Sequence, residues 1–158
     1  MATPSATTAI VRAGLLTAVV DGLFSSVLSA FFYQSTVMRL FQSVASTVLG
    51  PKALEGGWTT AALGIAMHIC VAFTWSAVFV LAVMQIPVAR RALRSFAGVL
   101  SLAAVYGPCV WLVMSLVVIP FLTGRPTAFT YRWWIQFVGH GPFVGLPIVA
   151  MARERADP

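Results

Sequence analysis

Residues 10–32 read IVRAGLLTAVVDGLFSSVLSAFF, and the reading of that run decides the fold. The run is long enough to cross a bilayer, because roughly 20 mostly apolar residues rising 1.5 Å each cover about 30 Å of hydrocarbon. Asp21 stands near its middle, and a carboxylate at that depth is costly unless it finds a partner or water. A cleaved leader is the competing explanation. Against it, the apolar stretch is too long, the aspartate interrupts it, and SVLSAFFYQ is a poor cleavage site. The run is expected to be a true span whose acidic residue turns into the protein.

Three more runs of spanning length follow, at about 58–84, 96–120 and 133–151. The 158 residues are 59% hydrophobic and 9% charged, whereas a soluble domain carries about a quarter of its residues charged. The expected fold is all-α: a single transmembrane domain over residues 1–158, a bundle of four spanning helices in a lipid bilayer. The net charge of +6 does not signal nucleic acid, because the basic residues cap apolar runs and no base-stacking aromatic set accompanies them. Cys70 and Cys109 lie in separate apolar runs with no CxxC spacing, so they read as small hydrophobes.

The basic residues also set an expected orientation. Arg12, Arg90, Arg91, Arg94, Arg153 and Arg155 fall at one end of the bundle, and Arg39, Lys52, Arg125 and Arg132 at the other. The dense cluster in PVARRALRS lies in a short connection, where the positive-inside rule is strongest, so both termini are expected to be cytoplasmic. Trp58 and the group Tyr131, Trp133 and Trp134 would mark the outer interface. The first outer connection is longer than a turn needs. Within residues 36–49, Val37, Leu40, Phe41, Val44 and Val48 share one helical face. That pattern suits a short interfacial helix ended by Gly50–Pro51; a loop packed over the bundle mouth is the alternative. No internal repeat is evident.

Each span carries one polar group near mid-depth: Asp21, His68, Tyr106 and His140. Counting 1.5 Å per residue brings all four within a few ångströms of one level. The two histidines, His68 in GIAMHICVAFTW and His140 in QFVGHGPFVGLP, are the only ones in the chain. In the first span Thr17, Asp21, Ser25 and Ser29 recur every four residues beside the small residues Gly22, Ser26 and Ala30, a spacing that lets helices approach closely. Gly141 and Gly145 form a GxxxG in the fourth. Pro108, Pro142 and Pro147 fall inside spans, each removing a backbone donor.

Three roles for this polar layer stay open at this point. Asp21 and a histidine can be a hydrogen-bonded pair that holds helix register. The same groups can relay protons or ions, since histidine titrates near neutrality. Or His68 and His140 can ligate a metal-bearing pigment, haem or chlorophyll. No other metal site is expected, and catalytic signatures such as GxSxG, HExxH or a Walker loop are missing, so the chain is not expected to be an enzyme.

Taken together, GIAMHICVAFTWSAVF, VYGPCVWLVMSLVVIP and HGPFVGLPIVAMARER resemble the YagU-like family of small bacterial four-helix inner-membrane proteins. The similarity covers roughly the last two-thirds of the chain. It implies a bacterial inner-membrane location and four spans, and it assigns no catalytic role to His68, Tyr106 or His140. The basic, tryptophan-rich TGRPTAFTYRWW departs from the family pattern. With little mass outside the membrane, the leading functional expectation is an accessory subunit that contacts other integral membrane subunits of a respiratory or photosynthetic assembly. The alternatives are a small proton-coupled transporter using Asp21, His68 and His140, and a haem- or chlorophyll-binding subunit.

Overall fold

The computed structural model describes residues 4–156. Four long apolar helices form the bundle: α1 (Ala6–Phe32), α3 (Gly57–Gln85), α5 (Phe96–Thr123) and α6 (Tyr131–Arg155). Two shorter helices join them, α2 (Val37–Leu49) between α1 and α3, and α4 (Pro87–Ala92) between α3 and α5. There is no strand among the described residues. All four long helices are long and apolar enough to cross a membrane, and the chain is a multi-pass membrane protein.

The helix starts follow from local chemistry. Ser5, Thr36 and Ser95 precede α1, α2 and α5, and each hydroxyl accepts a backbone N–H from the first turn, of Thr8, Arg39 and Gly98 respectively, at 3.0–3.1 Å. Such caps satisfy donors that the helix itself leaves unpaired. Gly124, at φ 65°, ends α5 in the left-handed region, which glycine adopts without steric cost. The ends of α1 and α6 meet at one face, where the Arg12 guanidinium donates to Glu154 at 2.8 Å.

The two halves of the bundle differ. Toward the chain termini the interior is solid, with Phe79, Val80, Leu93, Ile148 and Val149 buried against one another. Outside, residues such as Leu23, Val105 and Phe121 are exposed, as a lipid-facing surface requires. Helix contact in a bilayer relies on close packing rather than on expulsion of water, and glycines provide it. A Cβ at Gly145 would overlap the Ala103 carbonyl, one at Gly107 the His140 carbonyl, and one at Gly64 the Phe41 carbonyl.

Three packing expectations need correction. Ala30 is exposed, while Leu28 and Ser29 are buried beside it. Residues Leu28–Phe32 are wound as a π turn, and one extra residue in a turn rotates the following side chains by about 100°. The every-fourth-residue stripe therefore ends before Ala30; Ser26 is half-buried and Gly22 lies against the His68 ring. In α6, Gly145 makes the close approach, whereas a Cβ at Gly141 would meet only Ala104 Cα at 3.8 Å. Finally, α2 is a helix, but its face differs from the apolar stripe. Val37 and Val48 are exposed, and Gln42 and Ala45 are buried, because α2 leans across the mouth of the bundle onto α3. The Gln42 amide donates to the Gly57 carbonyl at 3.0 Å, and the Arg39 guanidinium donates to the Leu54 carbonyl at 2.9 Å.

Candidate functional site

The half of the bundle beneath α2 is hollow. A cavity of about 390 Å³ lies between the four spanning helices and α2, a volume in the range of small-molecule sites. The four-residue spacing in α1 turns Thr17, Asp21 and Ser25 to this cavity, since residues four apart stack on one helix face. Helix α3 contributes His68, α5 contributes Trp111, and α6 contributes Gln136 and His140. Much of the remaining wall is apolar, with Leu40, Val44, Met67, Met114 and Leu122 among its side chains.

Asp21, His68 and His140 thus come together from three helices. One Asp21 oxygen, Oδ2, lies 3.9 Å from His68 Nδ1, within ion-pair range and beyond hydrogen-bond length. The other nitrogen of that ring, Nε2, lies 3.1 Å from the Ala18 carbonyl. A carbonyl only accepts, so Nε2 carries a proton and donates it there. That bond leaves Nδ1 as the nitrogen turned to Asp21. His140 is held the opposite way round. Its Nδ1 donates to the Gln136 carbonyl at 2.8 Å, which leaves Nε2 as the nitrogen able to serve the cavity. The His140 ring also packs on Trp111, with centroids 4.8 Å apart, and the Phe41 ring of α2 stands edge-on to His68 at 6.0 Å.

Several polar atoms around this cavity have no hydrogen-bond partner although buried: Thr17 Oγ1, Asp21 Oδ1, Gln136 Oε1 and Trp111 Nε1. Buried polar atoms are nearly always paired, and an orphan costs about 1–3 kcal/mol. All four belong to residues that line this one cavity. Near the same end of the bundle, burial pushes the Tyr33 phenol above its ordinary value, and the Arg132 guanidinium, 4.4 Å from the ring centroid, acts against that shift.

Tyr106 is not part of this site. Its hydroxyl donates to the Trp75 carbonyl at 2.6 Å and its ring stands edge-on to Phe79, in the solid half. The expected four-member layer is therefore a three-member cluster. Tyr106 is turned to Trp75 and Phe79 instead, because counting residues gives height and not direction. Gln136 and Trp111 were not anticipated. Gln136 stands one turn before His140, and an amide inside an apolar run is a signal that sequence does carry.

Axial ligation of haem or chlorophyll by the two histidines does not fit this geometry. A tetrapyrrole is far larger than the cavity of about 390 Å³ can hold, and one nitrogen of each ring, His68 Nε2 and His140 Nδ1, is engaged by a backbone carbonyl. Comparison of the chain with protein-family models, with curated proteins and with solved structures finds no match.

Proposed function

We infer that this protein is a small proton-coupled carrier that binds a solute in the chamber between its spanning helices. One observation supports the reading above others: ionisable groups from three separate helices, Asp21, His68 and His140, line a single cavity between the spans. A residue placed only to hold helix register has its bonds made within the protein, as Tyr106 does. Asp21 keeps one oxygen for something else. The accessory-subunit expectation rested on little mass outside the membrane and on the lack of a charged lining or catalytic set, and a chamber with ionisable groups on its wall favours a carrier over it.

In this reading Asp21 carries the exchanged proton, with the His68 ring 3.9 Å away, and solute arrival displaces it. Prolines and widened turns supply the means of movement. The π turns Met114–Val118 and Gly141–Gly145 lie in walls of the chamber, Pro142 lies within the second, and such turns leave a helix locally free to shift. The arginine asymmetry and the resemblance to the YagU-like family support a bacterial inner-membrane protein with both termini cytoplasmic.

Proteoliposomes carrying a luminal pH indicator test the function. They are challenged in turn with choline, lactate and glycerol, as cationic, anionic and neutral probes. At least one probe is expected to move protons, and Asp21→Asn is expected to abolish that flux. Flux that survives Asp21→Asn, His68→Ala and His140→Ala together, or no flux with any probe, would overturn the reading.

A further inference from the structure

The chemistry of the chamber wall also selects among solutes, an argument that rests on the binding reading above. Among the described residues Asp21 is the one acidic side chain on the wall, and neither lysine nor arginine lines it. Apart from the two histidines, which can each be neutral, an anion would meet no counter-charge there. A cation meets a carboxylate and the indoles of Trp75 and Trp111, whose ring faces attract positive charge.

The orphan atoms point the same way. Asp21 Oδ1 and Gln136 Oε1 only accept hydrogen bonds, and Thr17 Oγ1 can accept. The single fixed donor among them is Trp111 Nε1. A set rich in acceptors calls for a ligand rich in donors. An alkylammonium has three N–H donors and no acceptor. The rest of the wall, with Leu40, Val44, Met67 and Met114, suits an apolar substituent on that nitrogen. At roughly 30 Å³ per water-sized group, the cavity of about 390 Å³ holds a molecule of about a dozen non-hydrogen atoms.

We propose that the chamber takes a small apolar amine in its ammonium form, held by the Asp21 carboxylate among the indoles of Trp75 and Trp111, and that it does so in exchange for a proton on Asp21. The step balances in charge: one cation enters the carboxylate's field and one proton leaves it, with no bond made or broken in the ligand. The groups that face Asp21 are His68 from α3 and His140 from α6; α2 and α5 turn no titratable side chain to the cavity.

Three probes of nearly equal shape separate the outcomes: benzylammonium, benzoate and benzyl alcohol, titrated calorimetrically into the detergent-solubilised full chain. Benzylammonium is expected to bind at least tenfold more tightly than either of the others and to release a proton on binding. Its apparent Kd rises as the pH is lowered from neutral to mildly acidic, approaching about tenfold per pH unit where protons and ligand compete for one site. Asp21→Asn is expected to remove both the preference and the pH dependence. Gln136→Leu, which keeps the charge, is expected to weaken benzylammonium severalfold and to leave the pH dependence intact. If benzoate or benzyl alcohol binds best, with binding still lost in Asp21→Asn, the amine assignment is wrong and the chamber reading stands. If none of the three binds, or all bind equally in wild type and Asp21→Asn, both fall.

Discussion

Substituting Gly145 by alanine adds one methyl group and should cost this protein about 2 kcal/mol. The new Cβ would overlap the Ala103 carbonyl oxygen and lie 2.9 Å from the Gly107 nitrogen and 3.0 Å from the Ala103 carbonyl carbon. All three are backbone atoms of α5, so no rotamer change relieves the clash. Carbon contacts settle at about 3.5–4.0 Å, which obliges α6 to back away from α5 by about 1 Å. A gap of that size forfeits a quarter to a half of each contact's well of roughly 0.1–0.2 kcal/mol, which over about twenty atom pairs amounts to roughly 1 kcal/mol. Residual overpacking strain adds about 1–3 kcal/mol. The helix preference of alanine over glycine returns about 1 kcal/mol. Equilibrium unfolding in mixed detergent micelles, followed by tryptophan fluorescence, measures the balance. Ala30→Leu is the matched comparison. It adds three carbons at an exposed position and is expected to change stability by less than about 0.5 kcal/mol. The packing argument fails if Gly145→Ala also stays within that margin, or if Ala30→Leu destabilises as much.

Three other substitutions probe separate contacts by the same unfolding measurement. Tyr106→Phe removes the bond to the Trp75 carbonyl and should cost about 1 kcal/mol without altering benzylammonium binding; altered binding would place Tyr106 in the site after all. Gln42→Leu removes the donor to Gly57, whose carbonyl also accepts from the Thr60 hydroxyl at 3.3 Å. The loss should be near the lower end of the usual range, about 1 kcal/mol, and a neutral result would mean that α2 is not docked on α3 as described. Arg12→Ala breaks an ion pair whose partners are 56% and 47% exposed; solvent screening limits its worth to about 0.5 kcal/mol or less, and a loss above 1 kcal/mol would show that this contact holds the helix ends together.

Much of the site was legible in the sequence, and what was not has one cause. The run at 10–32 became Ala6–Phe32 and the run at 96–120 became Phe96–Thr123, because spanning length and apolar composition are local properties. That Asp21, His68 and His140 could meet was also legible from the count along each span, since helical rise is nearly constant, and they do line one cavity. Direction was not. In a bilayer a leucine facing lipid and one facing protein are equally apolar, so amphipathic periodicity, the usual guide to a helix's inner face, is weak in these spans. That is why Tyr106 was grouped with the cluster although its hydroxyl is spent on Trp75, and why Gln136 and Trp111 went unnoticed. The apolar stripe of α2 misled for a related reason: the face it buries holds Gln42 and Ala45, a choice made by close packing of Phe41 on Gly64.

By itself, then, the sequence determined that this chain forms four helices long and apolar enough to cross a membrane, with an ionisable side chain inside three of them, because length and hydropathy act along a single helix. The rotation of each helix, the widened turns that reset its register, and the contact of glycines with neighbouring carbonyls were decided only when the helices packed. Those decisions made one half of the bundle solid and left a chamber in the other, with Asp21 at its wall.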